Sequence, residues 1–411
     1  MPALEEMPAL EGIAARRYDT AEAVALVLDA GRIQSIAPLP TADDRPSLPF
    51  VAPGFVDVQV NGYGGQEFSS ADLTVEKTAA IVRRMAEFGV TRCCPTVTTA
   101  GHDVLAHAMK TIAATCDADA DIERRVLGIH LEGPYISPLD GPRGAHPLAH
   151  CRPPDWDEFS RLQDAAGGRI RLVTLSPEYD NAPQFIERAA TFGVVVAIGH
   201  TAANSAQIRA AVDAGASMST HLGNGAHREL PRHPNYLWDQ LADDRLTASL
   251  IVDGHHLPPE VVQTFWRAKT ADRVVLVSDL SGLAGLPPGR YASELCELEI
   301  LDDGRLVIAG QRQLLAGASR PIGDGVANLM AFAGVDLKTA VDAASLRPLE
   351  LFARRSDGKA SQTTNQVGLA VDAAADLVLF DFAPAPERSI HGAGKLIVRQ
   401  TIIAGRTVWP G

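Results

Sequence analysis

Histidines and carboxylates recur in this sequence at the ends of short apolar runs. They are His130, Glu132, Glu178, His200, His221, Asp253, His256 and Asp279. One histidine in such a place is more often a hydrogen-bonded structural group than a metal ligand. Their repetition in successive runs favours a shared site, because the carboxyl ends of parallel strands meet at one end of a barrel.

Three of these residues could hold a catalytic metal. Glu132, His200 and His221 supply one carboxylate and two imidazoles, a set that leaves a coordination position open for water. Such a metal brings the pKa of water towards about 7 and polarises a carbonyl group, which suits amide hydrolysis near neutral pH. We expect a divalent ion with zinc as the first choice, while Fe²⁺, Co²⁺ and Mn²⁺ accept the same ligands.

Asp279 ends the apolar run VVLVSD and suits a general base. It would take a proton from the attacking water and return it to the leaving nitrogen. The alternative is that Asp279 caps a helix that begins in the following LSGLAG segment.

The stretch PGFVDVQVNGYGG at residues 53–65 resembles a buried strand that opens into a glycine-rich loop. Side chains alternate along a strand, so Asp57, Gln59 and Asn61 are expected to point in one direction. None of the three is a histidine, the commonest side chain at a catalytic zinc.

Eight β-branched runs alternate with helical patterns through the middle of the chain. They are residues 53–65, 90–96, 126–133, 170–178, 194–200, 217–222, 248–254 and 274–279. Strands separated by helices indicate a parallel sheet, and eight units predict a TIM-like (β/α)8 barrel of the α/β class. An open doubly wound sheet is the alternative, because sequence alone does not reveal closure.

Both chain ends alternate apolar and polar residues across turns, as short strands do. We expect them to pair into one small β-sandwich. The predicted organisation is residues 1–52 and 368–411 in the sandwich and residues 53–367 in the hydrolase barrel.

The composition excludes several function classes. Hydrophobic residues make up 46% and charged residues 21%, as in a globular protein, and the formal charge of −13 argues against nucleic acid as a partner. No apolar run is long enough for a membrane span. The cysteines are odd in number and form no CxxC pair, which predicts free thiols and a cytoplasmic location: Cys93, Cys94, Cys116, Cys151 and Cys296.

The motifs, taken together, resemble one family. PGFVDVQVNGYGG, GIHLEGPYIS, AIGHTAAN, STHLGN, IVDGHHL and LVSDLSGLAG occur in the order and approximate spacing of the N-acetylglucosamine-6-phosphate deacetylases of the amidohydrolase superfamily. The resemblance spans nearly the whole chain. The combination of HLEGP, GHT and THL is its most specific part.

The resemblance implies roles for the catalytic residues. In the family, the glutamate of HLEGP and the histidines of GH and THL hold the metal, which corresponds to Glu132, His200 and His221. The acid/base aspartate corresponds to Asp279. The histidine that binds the substrate carbonyl corresponds to His146 in RGAHPL.

The resemblance also implies contacts with a small amino-sugar phosphate, from Asn224, Gly225, Arg232 and His256. The arginine reaches into the neighbouring subunit's site, which implies a homodimer. Leu315 in LAGAS corresponds to an apolar contact for the acetyl group. The segment after THL departs from the family pattern, with Gly223 where an aromatic residue is usual, so Arg232 could equally serve a subunit contact or bind a carboxylate.

The first strand predicts how many metals bind. Amidohydrolase barrels with two metals usually carry a His-x-His pair there, and this chain has Gln59 and Asn61 instead. Neutral amides are poor ligands for transition metals, so we expect one metal per subunit. Gln59 is then free to hydrogen-bond substrate or water, and Asn61 shapes the loop.

The sequence therefore predicts a metal-dependent hydrolase that releases acetate from N-acetylglucosamine 6-phosphate or a close N-acetylated amino sugar. One alternative is an amidohydrolase that acts on a non-phosphorylated N-acetyl sugar or on another amide. Another is a catalytically silent sugar-binding relative. Asp279 favours an enzyme, because a protein that only binds sugar has no need of a general base.

Overall fold

Eight parallel strands form a nearly closed barrel in the computed structural model, which describes residues 12–39, 48–292, 297–353, 368–383 and 394–410. The strands, in chain order, are β1 (Ile13–Arg17), β2 (Ala23–Asp29), β3 (Arg32–Pro38), β4 (Phe50–Pro53), β5 (Phe55–Val60), β6 (Gly62–Tyr63), β7 (Gln66–Glu67), β8 (Val90–Thr98), β9 (Ile129–Glu132), β10 (Ile170–Leu175), β11 (Val195–Ile198), β12 (Met218–Ser219), β13 (Thr247–Leu250), β14 (Val274–Leu276), β15 (Gly289–Ala292), β16 (Glu297–Ile300), β17 (Leu306–Ile308), β18 (Gln311–Leu315), β19 (Leu377–Ala383), β20 (Lys395–Ile403) and β21 (Arg406–Trp409). The α-helices are α1 (Val75–Arg84), α2 (His102–Ala118), α3 (Ala120–Arg125), α4 (Trp156–Ala165), α5 (Ala182–Thr191), α6 (Ser205–Asp213), α7 (Tyr236–Ala242), α8 (Pro259–Lys269), α9 (Ile322–Ala333), α10 (Leu337–Ala344) and α11 (Leu346–Ala353).

The barrel closes between its first and last strands. The sheet order runs from β5 through β8 to β14, and a parallel bridge then joins Val60, at the end of β5, to Leu280. The backbone N–H of Asn61 donates to the carbonyl of Leu280 over 2.8 Å. All six residues of β5 are buried, as in a strand covered on both faces. The predicted barrel is thus confirmed, and the open-sheet alternative is wrong.

Strands from both chain ends form a single seven-stranded sheet in the order β21-β20-β19-β4-β1-β2-β3. β4 from the N-terminal side pairs antiparallel with β19 from the C-terminal side, with Phe50 opposite Phe380. The two ends therefore belong together, as predicted. The proposed boundaries at 52/53 and 367/368 stay predictions, and residues 1–11 and 354–367 lie outside the described residues.

A four-stranded antiparallel sheet of β15 to β18 lies between the last barrel strand and α9. The sequence analysis did not predict it. It has a small core of its own, in which Leu298, Ile300 and Leu306 are buried together with Leu283 and Ala316. The strands are short, and their inner faces pack against the loop after β14 rather than against the main core. Few apolar residues alternate along each strand, and the sequence signal for a sheet is therefore weak.

The cysteines and the helix lengths agree with the sequence. Four of the cysteines, Cys93, Cys94, Cys116 and Cys151, are free thiols as predicted, while Cys296 lies outside the described residues. In the part of the chain that the structure describes, no helix has the length and apolar character needed to cross a membrane.

A buried hydrogen-bonded chain runs through the barrel from His130. Nε2 of its ring lies 2.8 Å from the hydroxyl of Thr174, which lies 2.7 Å from the hydroxyl of Thr220. His130 is fully buried, and this burial lowers the pKa of its imidazole to about 4. His130 is therefore a neutral, hydrogen-bonded group inside the barrel.

Acidification is expected to destabilise the fold through His130. The imidazole takes up a proton near pH 6.5 in the unfolded chain but only near pH 4 in the folded protein. Between these values the unfolded state binds more protons, so the free energy of unfolding falls with falling pH, by about 1.4 kcal/mol per unit at this site. Urea titrations across this range measure the slope.

His130→Gln is the reference for that measurement, because other histidines titrate in the same range. Glutamine has a similar size and hydrogen-bonding capacity but no proton to gain. The difference between the two slopes isolates His130, and equal slopes would show that its imidazole does not stay neutral in the folded protein.

Candidate active site

Three predicted ligands converge at the carboxyl ends of the barrel strands. Glu132 ends β9, while His200 and His221 follow β11 and β12. Oε1 of Glu132 lies 3.1 Å from Nε2 of His200 and 3.0 Å from Nε2 of His221, and the two Nε2 atoms are 3.1 Å apart. All three side chains are buried. They form the one group of this kind found among the described residues.

These donors fit a divalent metal ion. Nδ1 of His200 lies 2.8 Å from the carbonyl oxygen of Pro142 and donates its proton there, which leaves the lone pair of Nε2 directed at the other donors. Two ligands bound tetrahedrally at zinc-nitrogen distances lie about 3.3 Å apart, close to the spacing of the two Nε2 atoms. Two nitrogen atoms and a carboxylate oxygen suit zinc and its neighbours in the transition series.

The backbone at this site is strained. His200, His221 and Asp279 have φ angles of 48°, 27° and 54°, in the left-handed region that residues other than glycine seldom adopt. Hydrogen bonds hold two of them, from the N–H of His221 to the Ser249 hydroxyl and from the N–H of Ser137 to the carbonyl of His200. Such strain is typical of functional sites, where the surrounding fold imposes it.

Asp279 lies beside the ligands and is held by two amide side chains. Nδ2 of Asn61 donates to its Oδ1 over 2.8 Å, and Nε2 of Gln59 donates to the same atom over 3.1 Å. Nε2 of Gln59 also donates to Oε2 of Glu132 over 3.0 Å. Burial, with the negative charge of Glu132, raises the pKa of Asp279 to about 6. A carboxyl group with this pKa can both accept and return a proton near neutral pH.

His146 stands at the other side of the ligand group. Its ring centroid is 4.4 Å from that of His200, in an edge-on arrangement, and its Nδ1 lies 2.8 Å from the hydroxyl of Thr99. Burial lowers the pKa of His146 to about 3, so its ring is neutral at physiological pH. A neutral imidazole can donate one hydrogen bond without adding a charge.

These groups open into one cavity of about 450 Å³, which is within the usual range for a small-molecule site. Glu132, His146, His200, His221 and Asp279 all line it. The wall also includes residues of the four-stranded sheet and of the loop after β12. The cavity thus joins acid/base groups and potential metal ligands in one space.

Most of the chain matches known amidohydrolases. A model of the amidohydrolase family matches residues 50–408. An N-acetylglucosamine-6-phosphate deacetylase from Bos taurus is 34% identical over 368 residues, which cover 87% of this chain and 83% of the bovine protein. The chain belongs to the N-acetylglucosamine-6-phosphate deacetylase family of amidohydrolases.

Other members of the deacetylase family match to a similar extent. An N-acetylgalactosamine-6-phosphate deacetylase from Escherichia coli is 33% identical, over 78% of this chain and 83% of that protein. A crystal structure of N-acetyl-D-glucosamine-6-phosphate deacetylase from Mycobacterium smegmatis superposes with a TM-score of 0.79 and 31% identity, over 94% of this chain and 95% of that one. The resemblance inferred from the motifs is confirmed.

The predicted substrate-binding residues of this deacetylase family member occupy three kinds of position. Asn224, Gly225, His256 and Leu315 line the cavity. Arg232 is exposed and does not line it, so its role stays a prediction that depends on a second subunit. Gln59 is buried beneath the cavity, where its amide nitrogen is bonded to two carboxylates.

Several supporting residues were missed or only partly understood from the sequence. Asn61 was expected to shape the loop, but its side chain bonds Asp279 directly. Glu178 lies outside the ligand group, and its carboxylate accepts hydrogen bonds from the Ser137 hydroxyl and the Ala202 N–H. It therefore ties the loop after Glu132 to the loop after His200. The position of Glu178 at the end of a strand indicated a role near the site. It did not show whether the carboxylate binds a metal or holds neighbouring loops in place.

Asp253 likewise holds a neighbouring residue of the site in place. Its Oδ2 lies 2.8 Å from Nδ1 of His256, and its Oδ1 accepts hydrogen bonds from the N–H groups of His255 and His256. Burial opposes ionisation, but these hydrogen bonds and the nearby imidazole lower the pKa of Asp253 to about 2. The ring of His256 is thereby fixed at the cavity wall.

Proposed function

We propose that this chain hydrolyses the acetamide of N-acetylglucosamine 6-phosphate, or of a closely related N-acetylated amino-sugar phosphate, and releases acetate. The observation that carries this proposal is the placement of Asp279 beside Glu132, His200 and His221 in one cavity. A carboxylate suited to acid/base work, a set of side chains suited to a metal and space for a substrate lie together, which supports amide hydrolysis. Membership of the deacetylase family supports the amino-sugar substrate.

Glu132, His200 and His221 would hold the divalent ion. When bound, it supplies a Lewis acid that polarises the acetyl carbonyl and makes water more acidic. Gln59 orients the carboxylate of Glu132 through Oε2, which leaves Oε1 directed at the two imidazoles. The ligand atoms therefore need little reorganisation.

Asp279 moves the proton. In its ionised form it accepts the proton of the attacking water on a carboxylate oxygen, and it then gives that proton to the sugar nitrogen as the C–N bond breaks. The hydrogen bonds from Asn61 and Gln59 fix the carboxylate throughout. The products are acetate and the free amine.

His146 stabilises the carbonyl oxygen as it gains negative charge. If the hydroxyl of Thr99 donates to Nδ1, the ring carries its proton on Nε2 and can donate it to that oxygen. Because the pKa of His146 is low, the ring acts as a hydrogen-bond donor rather than as a second acid.

Three finer features belong to the same proposal. Zinc is the proposed metal, because two imidazoles and one carboxylate form one of its catalytic ligand sets. A cytoplasmic location is supported by the free thiols of the described cysteines. A homodimer is supported by the family resemblance and by the exposure of Arg232, which is available to a second subunit.

Acetate release from two sugars, with ring opening of a cyclic amide as a third assay, tests the function. We expect the metal-loaded protein to release acetate from N-acetylglucosamine 6-phosphate with a higher kcat/KM than from N-acetylglucosamine, and not to open a cyclic amide such as hydantoin. The reason is that the phosphate adds binding energy that an unphosphorylated sugar does not provide. Sugar binding without acetate release would instead indicate a silent relative.

A further inference from the structure

The neutral ring of His146 can carry its proton on either of two nitrogen atoms, and the choice decides what the ring offers to a substrate in the cavity. With the proton on Nε2, the ring can donate a hydrogen bond to a carbonyl oxygen. With the proton on Nδ1, it would present the lone pair of Nε2 and repel that oxygen. Among the described residues, the ring nitrogens have one hydrogen-bond partner, the hydroxyl of Thr99 at 2.8 Å from Nδ1. Thr99 is therefore placed to set the tautomer.

The hydroxyl of Thr99 has one acceptor for its proton. The residue is 1% exposed, and no second hydrogen bond of this hydroxyl occurs within the described part of the chain. Gly133 packs so closely on it that an added Cβ would lie 2.1 Å from Oγ1. A buried hydroxyl whose proton lacks an acceptor is costly, so this proton is directed at Nδ1 of His146. The imidazole must then carry its own proton on Nε2.

Thr96, three residues earlier, is a buried threonine beside a histidine in the opposite situation. Its hydroxyl lies 3.4 Å from Nδ1 of His130, but it donates its proton to the carbonyl of Cys94 over 3.1 Å. It can therefore accept a hydrogen bond, as it does from the N–H of Val60. In the residues that the structure describes, no carbonyl accepts the proton of Thr99, which leaves that hydroxyl as the donor.

One arginine side chain holds both partners of this hydrogen bond. Nη1 of Arg152 donates to the carbonyl of His150, in the loop that carries His146, over 2.7 Å. The same nitrogen donates to the carbonyl of Ala100, the residue after Thr99, over 3.3 Å. The guanidinium thus joins the end of the strand to the loop, and the fold itself keeps the hydroxyl against the ring.

We propose that Thr99 is a positioning residue whose hydroxyl keeps the proton of His146 on Nε2, and so makes the ring a hydrogen-bond donor to the acetyl oxygen of the substrate. The inference rests on the proposed function. A donor that is already oriented stabilises the charge that develops on this oxygen, because nothing has to reorganise when the charge forms. Thr99 itself does not line the cavity, so its effect passes through His146.

Two substitutions separate the hydroxyl of Thr99 from the shape of its side chain. In the metal-loaded protein, Thr99→Val is expected to lower kcat for N-acetylglucosamine 6-phosphate by about 10- to 100-fold and to change KM by less than about three-fold, because the lost interaction forms in the transition state. Thr99→Ser keeps the hydroxyl and should restore most of kcat. Thr115→Val is the matched control: its buried hydroxyl donates to the carbonyl of Thr111 within α2, away from the cavity, so kcat should not change.

Nitrogen-15 NMR of the zinc-loaded protein with labelled histidines reads the tautomer directly. The variant His146→Gln identifies the resonances of His146 by their loss. In the wild-type protein we expect a protonated Nε2 and an unprotonated Nδ1. In Thr99→Val we expect the proton to move to Nδ1 or to be shared between the two nitrogens. The wild-type spectrum tests the inference even if Thr99→Val does not fold.

Three results would overturn the inference and leave the deacetylase function standing. They are a wild-type ring with its proton on Nδ1, a wild-type kcat in Thr99→Val, and a Thr99→Ser variant as slow as Thr99→Val. If the wild-type protein releases no acetate, the proposed function fails instead. The spectra then decide the role of Thr99, which stands if the proton is on Nε2 in the wild-type protein and leaves it in Thr99→Val, and falls otherwise.

Discussion

Replacement of Asp279 by asparagine is expected to lower kcat by about 10²- to 10⁴-fold and to leave the metal bound. Asparagine has nearly the same shape, and its carbonyl oxygen can still accept the hydrogen bonds that Asn61 and Gln59 donate. It cannot take a proton from water or return one to the amine. Steady-state acetate release, with metal analysis of the same samples, measures both outcomes.

A partly buried aspartate outside the substrate cavity provides the control. Asp324 lies on α9 near Arg320, and burial raises the pKa of its carboxyl group as it does for Asp279. Asp324→Asn should keep kcat within about two-fold of the wild-type value, because no proton transfer passes through it. If Asp279→Asn retained a kcat near that of the wild-type protein, another group would have to move the proton.

Replacement of Glu132 by glutamine is expected to weaken metal binding by at least about 100-fold and to abolish acetate release at ordinary metal concentrations. The amide of glutamine is neutral and a poor ligand. The same amide can still accept the hydrogen bond from Gln59, so the fold should be retained. Metal content after dialysis and the thermal unfolding midpoint separate loss of metal from loss of fold.

The wild-type protein should retain one equivalent of divalent metal per subunit when its metal content is measured after dialysis. The end of β5, the first strand of the barrel, carries Gln59 and Asn61. The amide nitrogens of both side chains are bonded to carboxylates. Glu123→Gln makes the same chemical change at an exposed surface pair with Arg169 and should leave the stoichiometry unchanged. Two tight equivalents in the wild-type protein would refute the single-metal prediction.

The barrel could be predicted because its strands carry their pattern locally. Runs such as VVVAIGH and VVLVSD are buried on both faces, so they are apolar throughout and end in polar residues where the barrel opens. Closure between Val60 and Leu280 could not be predicted, because it depends on a backbone pairing between distant segments. The sheet of β15 to β18 was missed for a related reason: its short strands pack on a nearby loop rather than on the main core.

The candidate site shows a similar division. Glu132, His200 and His221 were predictable because their residue types are those of metal ligands. The role of Asn61 was not, since an amide beside a glycine-rich loop is typical of a turn.

The seven-stranded sheet has a consequence for synthesis. Its N-terminal strands leave the ribosome first, yet β4 must pair with β19, which is made more than 300 residues later. During translation the edge of β4 that pairs with β19 is therefore open, and an open edge can pair with other chains. We expect soluble yield to depend strongly on the last strands. A chain that stops before Leu377 would leave that edge without its partner and should aggregate, even though every catalytic residue has been made.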